Sequence, residues 1–326
     1  MVVEPAVIPL RLAQYGGAAI LFGSSLFCLY ALPVGLPPRL PWLRPLLVWS
    51  AATLLIASLA GLVAQTIVLA GSVAEGLQPA SLSAVVTTMG LGRAAVVRGA
   101  AAALALAVLL MSSMRRPALI VTALAGGAAC GSFGWMGHGG ATEGPGGGLH
   151  LTADILHALA AGVWVGALVA FLALLSWRRH QDAVRDAALQ KALQGFAGVG
   201  SVLVATLVAT GLINSWFLIG PTRLSGLWTT PYGQLLSLKL VVFLAMLGLA
   251  AANRFRLTPD LGLALSNADF SRGRWTPDLG APLSPDGPTE TAVRALRRSL
   301  LLETSLGFAV LALVAWFGML APVSAQ

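Results

Sequence analysis

Eight stretches of this chain are long and apolar enough to cross a hydrocarbon core, and no other feature constrains its fold as strongly. A crossing takes about 20 mostly apolar residues. The stretches are Leu12–Leu32, Leu46–Ala70, Ala94–Met114, Ala118–Trp135, Leu151–Trp177, Phe196–Leu218, Gln234–Ala252 and Leu300–Leu320. They are rich in Leu and Ala and do not alternate, which predicts helices rather than barrel strands. Pro33, Pro37, Pro38 and Pro41 end the first, and Arg115, Arg116 and Pro117 divide the third from the fourth. Only 10% of the residues are charged, against about 25% in soluble domains. With a mean hydropathy of +0.84, this excludes a soluble enzyme and a disordered chain. The expected fold is an all-α polytopic membrane protein with eight transmembrane helices. Residues 1–135 form an N-terminal four-helix part and residues 136–326 a second one.

The net charge of +8 invites a nucleic-acid reading. With so few charges in total, it is better read as loop charge on a membrane protein. Fifteen of the twenty basic residues fall in the odd-numbered connections, among them Arg115, Arg116, Arg178, Arg179, Arg254, Arg256, Arg297 and Arg298. Only Arg11, Arg93 and Arg223 edge the other face. That bias predicts odd connections in the cytoplasm and both termini in the periplasm. The N-terminus shows neither a basic n-region nor a clear cleavage site of a signal peptide. The longest connection, 254–299, is rich in Pro, Gly and Asp and reads as a cytoplasmic loop. Cys28 and Cys130 sit in apolar runs and read as core thiols. No phosphate-binding loop, nucleophile elbow or CxxC occurs, and no general acid/base pair is visible, so an enzyme is not expected.

Ionisable groups are expensive in lipid and each needs a reason. They concentrate in one stretch. His138 and Met136 close the fourth run, a glycine-rich loop follows, and His150, Asp154 and His157 open the fifth. The spacing i, i+4, i+7 puts these three on one helical face. The hairpin brings His138 and Met136 to the same membrane side, the outer one by the charge bias. Imidazoles suit copper, zinc, iron or nickel, and a thioether adds a soft ligand favouring Cu(I). Asp154 reads as a ligand, as an acceptor orienting one imidazole, or as an ion-pair partner of Arg98 or Lys239. Gln65 and Asn214 read as interhelical hydrogen bonds, Glu303 as a cytoplasmic partner of Arg297 and Arg298, and His180 as solvated.

The stretch from Leu149 to Leu168, with His150, Asp154, His157 and Trp164, resembles a helix of the bacterial copper resistance protein D (CopD) family. That family shows an aliphatic HxxxxxxHxxAxxxWxGxL pattern there. The resemblance continues through Thr210–Trp216, Thr230–Lys239, Ala252–Pro259 and Arg297–Glu303, and through Gly92-Arg93 in the N-terminal half. It implies an eight-helix inner-membrane protein for copper uptake or tolerance, receiving copper from a periplasmic carrier of the CopC type. Carried over by position, His150, Asp154, His157 and Trp164 match the family helix, and Asn214, Lys239, Asn253 and Arg254 match its later motifs. The seven methionines form no MxxM series, unlike a thioether-lined pathway.

Copper is thus the expected cargo, held by His150, His157, His138, Met136 and Asp154. Two readings stand beside this one. A haem-binding electron-transfer subunit would need two axial histidines on different helices. A non-transporting partner that only receives copper would use the same residues. Any transport follows a gradient or a coupled ion, since no ATP-binding motif is present.

Overall fold

The computed structural model describes residues 4–33, 35–137, 139–177, 183–264 and 288–325. Among these, eight long helices carry the fold. They are α1 (Glu4–Tyr30), α2 (Leu43–Ala70), α3 (Gly90–Met111), α4 (Arg116–Gly131), α5 (Gly147–Trp177), α6 (Ala183–Leu218), α7 (Pro231–Ala252) and α8 (Pro288–Phe317). All eight are long and apolar enough to span a membrane. The all-helical, multi-pass reading of the sequence is therefore what the chain adopts.

The local signals explain the boundaries. Proline stands in the first turn of α4 and α7, where its missing N–H costs nothing. The Thr230 hydroxyl caps α7 by accepting from the Gly233 N–H at 3.0 Å. Gly71 ends α2 in the left-handed conformation (φ 76°) that glycine adopts without strain. Two short helices, Val73–Gly76 and Pro79–Thr88, link α2 to α3.

The connection after α7 departs from the sequence reading. The helix passes through a π-helical segment, Asn253–Leu257, and continues over 258–264. Helix α8 already begins at Pro288. Residues 254–264 and 288–299 are thus helical rather than loop. Charge on Arg254, Arg256, Arg294, Arg297 and Arg298 interrupts the hydropathy but not the backbone hydrogen bonding.

Helices α1 and α5 are the most buried, and α6 and α7 the least. Helix α1 packs on α2, α4, α5 and α8, while α2–α3 and α3–α4 contacts close the N-terminal four-helix ring. Helix α6 packs on α5, and α7 on α8. Phe27, Phe171, Leu168, Leu174, Leu43 and Leu47 are fully buried in the shared core. Large apolar side chains such as Ile56, Leu104, Leu124, Leu212 and Leu244 point outward, which only lipid can cover. Trp49, Trp216, Trp228 and Trp316 are exposed near helix ends, as in an interfacial belt.

The helices run up and down. One end gathers Glu4, the α2–α3, α4–α5 and α6–α7 connections and the segment after α8. There Arg223 donates to the carbonyls of Val323 (3.2 Å) and Ser324 (2.7 Å). We call it the histidine end. The other end holds Arg44, which donates to Leu110 O at 2.8 Å, and Arg254, which donates to Ala197 O at 2.9 Å and to the Ser201 hydroxyl.

Candidate functional site

Helix α5 opens at Gly147, so His150, Asp154 and His157 occupy its first three turns. All three side chains face α6, which runs antiparallel to α5. The seam is a ladder of three rungs. At the first, the His150 ring stacks on Phe217, with centroids 4.7 Å apart and planes 7° from parallel. At the second, Asn214 Nδ2 donates to Asp154 Oδ1 at 2.7 Å. At the third, His157 Nδ1 meets Thr210 Oγ1 at 2.9 Å. The rungs of α6 fall at 210, 214 and 217, the same i, i+4, i+7 spacing as 150, 154 and 157.

Each imidazole is oriented from outside the seam or across it. His150 is 1% exposed; its Nδ1 lies 2.7 Å from Thr142 Oγ1, and its Nε2 is buried with no hydrogen-bond partner. The Thr210 hydroxyl donates to Thr206 O at 2.6 Å. Its oxygen is therefore an acceptor toward His157, which fixes the proton on Nδ1 and leaves the lone pair on Nε2. This is how a threonine can set an imidazole for a metal without touching the metal. Asp154 Oδ2 accepts from the Gly139 N–H at 3.1 Å. A Cβ at position 139 would fall 2.3 Å from that oxygen, so only glycine permits the approach. Lys239 is half-buried, with Nζ 5.6 Å from the Phe317 ring centroid, and lies within Coulombic reach of Asp154 and His157.

The other expected site residues are placed differently. Met136 Sδ accepts from Arg98 Nη2 at 3.3 Å, at the edge of the N-terminal ring. Arg98 also donates to Ser132 Oγ at 3.1 Å and packs over the Phe133 ring. These contacts, rather than the Asp154 carboxylate, occupy its guanidinium. His138 and His180 lie outside the described residues. Among the described residues, no three His, Cys, Asp or Glu side chains gather as a metal centre would. His150 and His157 are separated by about 10.5 Å along the axis, at 1.5 Å per residue. They face the same helix without converging on one ion. Sharing one helix, they also cannot bracket a haem between helices.

A second polar cluster lies toward the opposite end. Trp164 Nε1 donates to Glu303 Oε1, and Asn253 Nδ2 to Glu303 Oε2, both at 2.8 Å. Glu303 is 2% exposed and does not pair with Arg297 or Arg298, correcting the surface ion pair expected of it. About one and a half helical turns separate it from that basic cluster, enough to rotate it onto the inner face. The sequence does carry over Trp164 and Asn253 as positions that match the family's motifs. It does not single out Thr210, Phe217 or Thr142, although the matching 4-and-3 spacing on α6 is a readable sign for the first two.

Two family models match the chain. "Copper resistance protein D-like, N-terminal domain" covers residues 2–149, and "Copper resistance protein D" covers residues 190–317. The chain is 35% identical to Copper resistance protein D of Pseudomonas syringae pv. tomato, over 98% of its own length and 97% of that protein's. It belongs to the copper resistance protein D family. Shorter stretches resemble two other proteins. Inner membrane protein YebZ of Escherichia coli K12 is 32% identical over 39% of the chain and 41% of its own length. Copper transport protein CutJ of Bacillus subtilis 168 is 32% identical over 30% of the chain and 17% of its own length. No solved structure matches. Within this family member, the rungs of α5 fall between the two family matches.

Proposed function

We propose that this protein lies in the bacterial inner membrane with its histidine end in the periplasm, takes up copper there and passes it toward the cytoplasm. The α5–α6 ladder carries this reading. It aligns two imidazoles on one seam, each with Nδ1 engaged by a threonine hydroxyl and Nε2 left for a metal. Imidazole nitrogen is a good copper donor, and the tautomer that Thr210 fixes on His157 removes the cost of choosing one at binding. Their separation makes them successive stations, with the Asp154 carboxylate between them. Met136 joins the cation only by leaving Arg98; His138, which the sequence groups with these ligands, lies outside the described residues.

The basic bias toward the opposite end supports the orientation. Copper is the cargo rather than a resident cofactor, and the protein is not an enzyme. A periplasmic carrier of the CopC type delivers copper at the loop ahead of α5. The cation moves down a gradient or with a coupled ion. Copper binding and uptake into proteoliposomes test the reading together. The His150→Ala, His157→Ala double variant is expected to lose both. Uptake and bound copper equal to those of the unmodified protein would overturn it.

A further inference from the structure

Glu303 is a buried ionisable group that the histidine ladder leaves unused. Its two carboxylate oxygens accept from different helices, Oε1 from Trp164 and Oε2 from Asn253. Among the described residues, no cation bonds it. Of the elements packed on α8, α5 brings Trp164 and, two turns outward, His157. The turn after α7 brings Asn253 and then Arg254, whose guanidinium is taken by Ala197 O and the Ser201 hydroxyl. Helix α7 itself carries Lys239, at the histidine end beside Asp154 and His157. The titratable groups in the inner half of α1 are Cys28 and Tyr30, which are ordinarily neutral near pH 7. On α8, Arg297 and Arg298 are exposed.

A carboxylate inside a membrane without a cation is costly, and such groups mark ion and proton pathways. This one lies in line with the ladder. Trp164 follows His157 by seven residues, which keeps it on the same stripe of α5, about 10.5 Å further in. In the other direction Glu303 is five residues from the exposed Arg298, about 7.5 Å along the axis. Two buried polar atoms beside it have no hydrogen-bond partner: Asn253 Oδ1, and Ser299 Oγ one turn earlier on the same face of α8. Asn253 also opens a π-helical turn, a departure that is frequent at functional sites.

The two donors are not equivalent. An indole N–H can only donate, so Oε1 stays an acceptor. A carboxamide has both roles, and turning Asn253 over brings its unpartnered Oδ1 to Oε2. Oε2 is therefore the oxygen that can take a proton and keep a hydrogen bond. We propose that Glu303 is a proton site on the inner half of the copper route. Oε2 holds a proton while the route is empty, and a copper cation arriving from His157 displaces it past Ser299 to the cytoplasmic water. The carboxylate recovers one proton when the cation leaves, so the buried charge always has a partner. The inference rests on the uptake reading and names the proton as the ion exchanged at its inner end.

Infrared difference spectra of the full-length protein in proteoliposomes, recorded with and without copper, test this beside copper uptake by the same vesicles. The unmodified protein is expected to show a protonated-carboxyl band that falls when copper is added. Glu303→Gln, which keeps the volume, is expected to lose that band. Asn253→Leu removes the acceptor for the proton and is expected to shift the band; it decides the matter if the glutamine variant does not fold. A missing band, or one identical in the variants, would overturn the proton site. A band that copper leaves unchanged would overturn the exchange. Absence of copper uptake, with the band and its response to copper intact, would instead overturn the transport reading and leave the proton site standing.

Discussion

Trp164 and Glu303, 139 residues apart in the chain, share a buried hydrogen bond of 2.8 Å that ties α5 to α8. Asn253 bonds the second carboxylate oxygen, so one side chain clamps α5, α8 and the π-helical turn after α7. Glu303→Ala leaves two buried donors without acceptors, at about 1–3 kcal/mol each. Glu303→Gln keeps the volume and one acceptor. The Asn253 amide can then turn over and offer its Oδ1, which is buried and unpartnered as it stands. We expect the alanine variant to unfold well below the unmodified protein in detergent, and the glutamine variant to lose no more than about 1 kcal/mol. Equal unfolding of all three would remove the clamp.

The middle rung predicts a smaller effect. Asn214 Nδ2 donates to Asp154 Oδ1 across the α5–α6 seam at 2.7 Å. Interhelical hydrogen bonds in membranes contribute about 0.6 kcal/mol on average and seldom more than about 1.7. Asn214→Leu is therefore expected to cost under about 2 kcal/mol of stability while weakening copper binding, because Asp154 loses one of the partners that fix its rotamer. Unfolding and copper titration on one preparation separate the two. Copper binding unchanged at reduced stability would confine Asn214 to packing.

Membrane helices are the most legible elements in such a chain, because backbone polar groups have no water to fall back on. The runs beginning at Leu46, Ala94 and Ala118 each start within a few residues of the helix observed. Hydropathy misleads where charge enters a helix that stays folded. Arg254 and Arg256 continue past α7, and Arg294, Arg297 and Arg298 ride on α8. The shared face of His150, Asp154 and His157 is legible, being a property of one helix. What faces it is not. Thr210 and Phe217 are ordinary apolar-run residues until α6 is laid antiparallel to α5. Met136 is near the histidines in sequence, which groups it with them, whereas its sulfur meets Arg98 on α3.

The inner rung gives a prediction specific to metal binding. Thr210 fixes the His157 tautomer through an oxygen already committed as donor to Thr206 O. Thr210→Val keeps the shape and removes the acceptor, freeing the imidazole to rotate and to protonate either nitrogen. Loss of such an orienting partner weakens metal affinity about 10–100-fold. Thr210→Ser retains the hydroxyl and is expected to bind copper nearly as the unmodified protein does. Titration with a competing chelator reads both. A valine variant equal to the serine variant would show that the threonine serves packing alone.

The last prediction concerns how α5 is held against α1, on which the ladder depends. Gly23 and Gly166 face each other across this interface. A Cβ on Gly166 would fall 2.4 Å from Ala19 O and 2.5 Å from the Gly23 Cα. Both neighbours are backbone, so neither can rotate away. The close approach also lets the Ser24 hydroxyl donate to Gly166 O at 2.8 Å. Gly166→Ala must push the helices apart, costing about 1–3 kcal/mol as overpacking does. Gly166→Leu is expected to prevent stable accumulation in the membrane. Small residues at helix contacts are how membrane bundles gain dispersion contacts without a hydrophobic drive between helices. At Gly248, by contrast, an added Cβ would meet nothing within 4 Å, so Gly248→Ala is expected to be neutral or slightly stabilising. Thermal unfolding of the two alanine variants side by side checks the contrast; matching values would mean that the α1–α5 contact is not the tight seam of the fold.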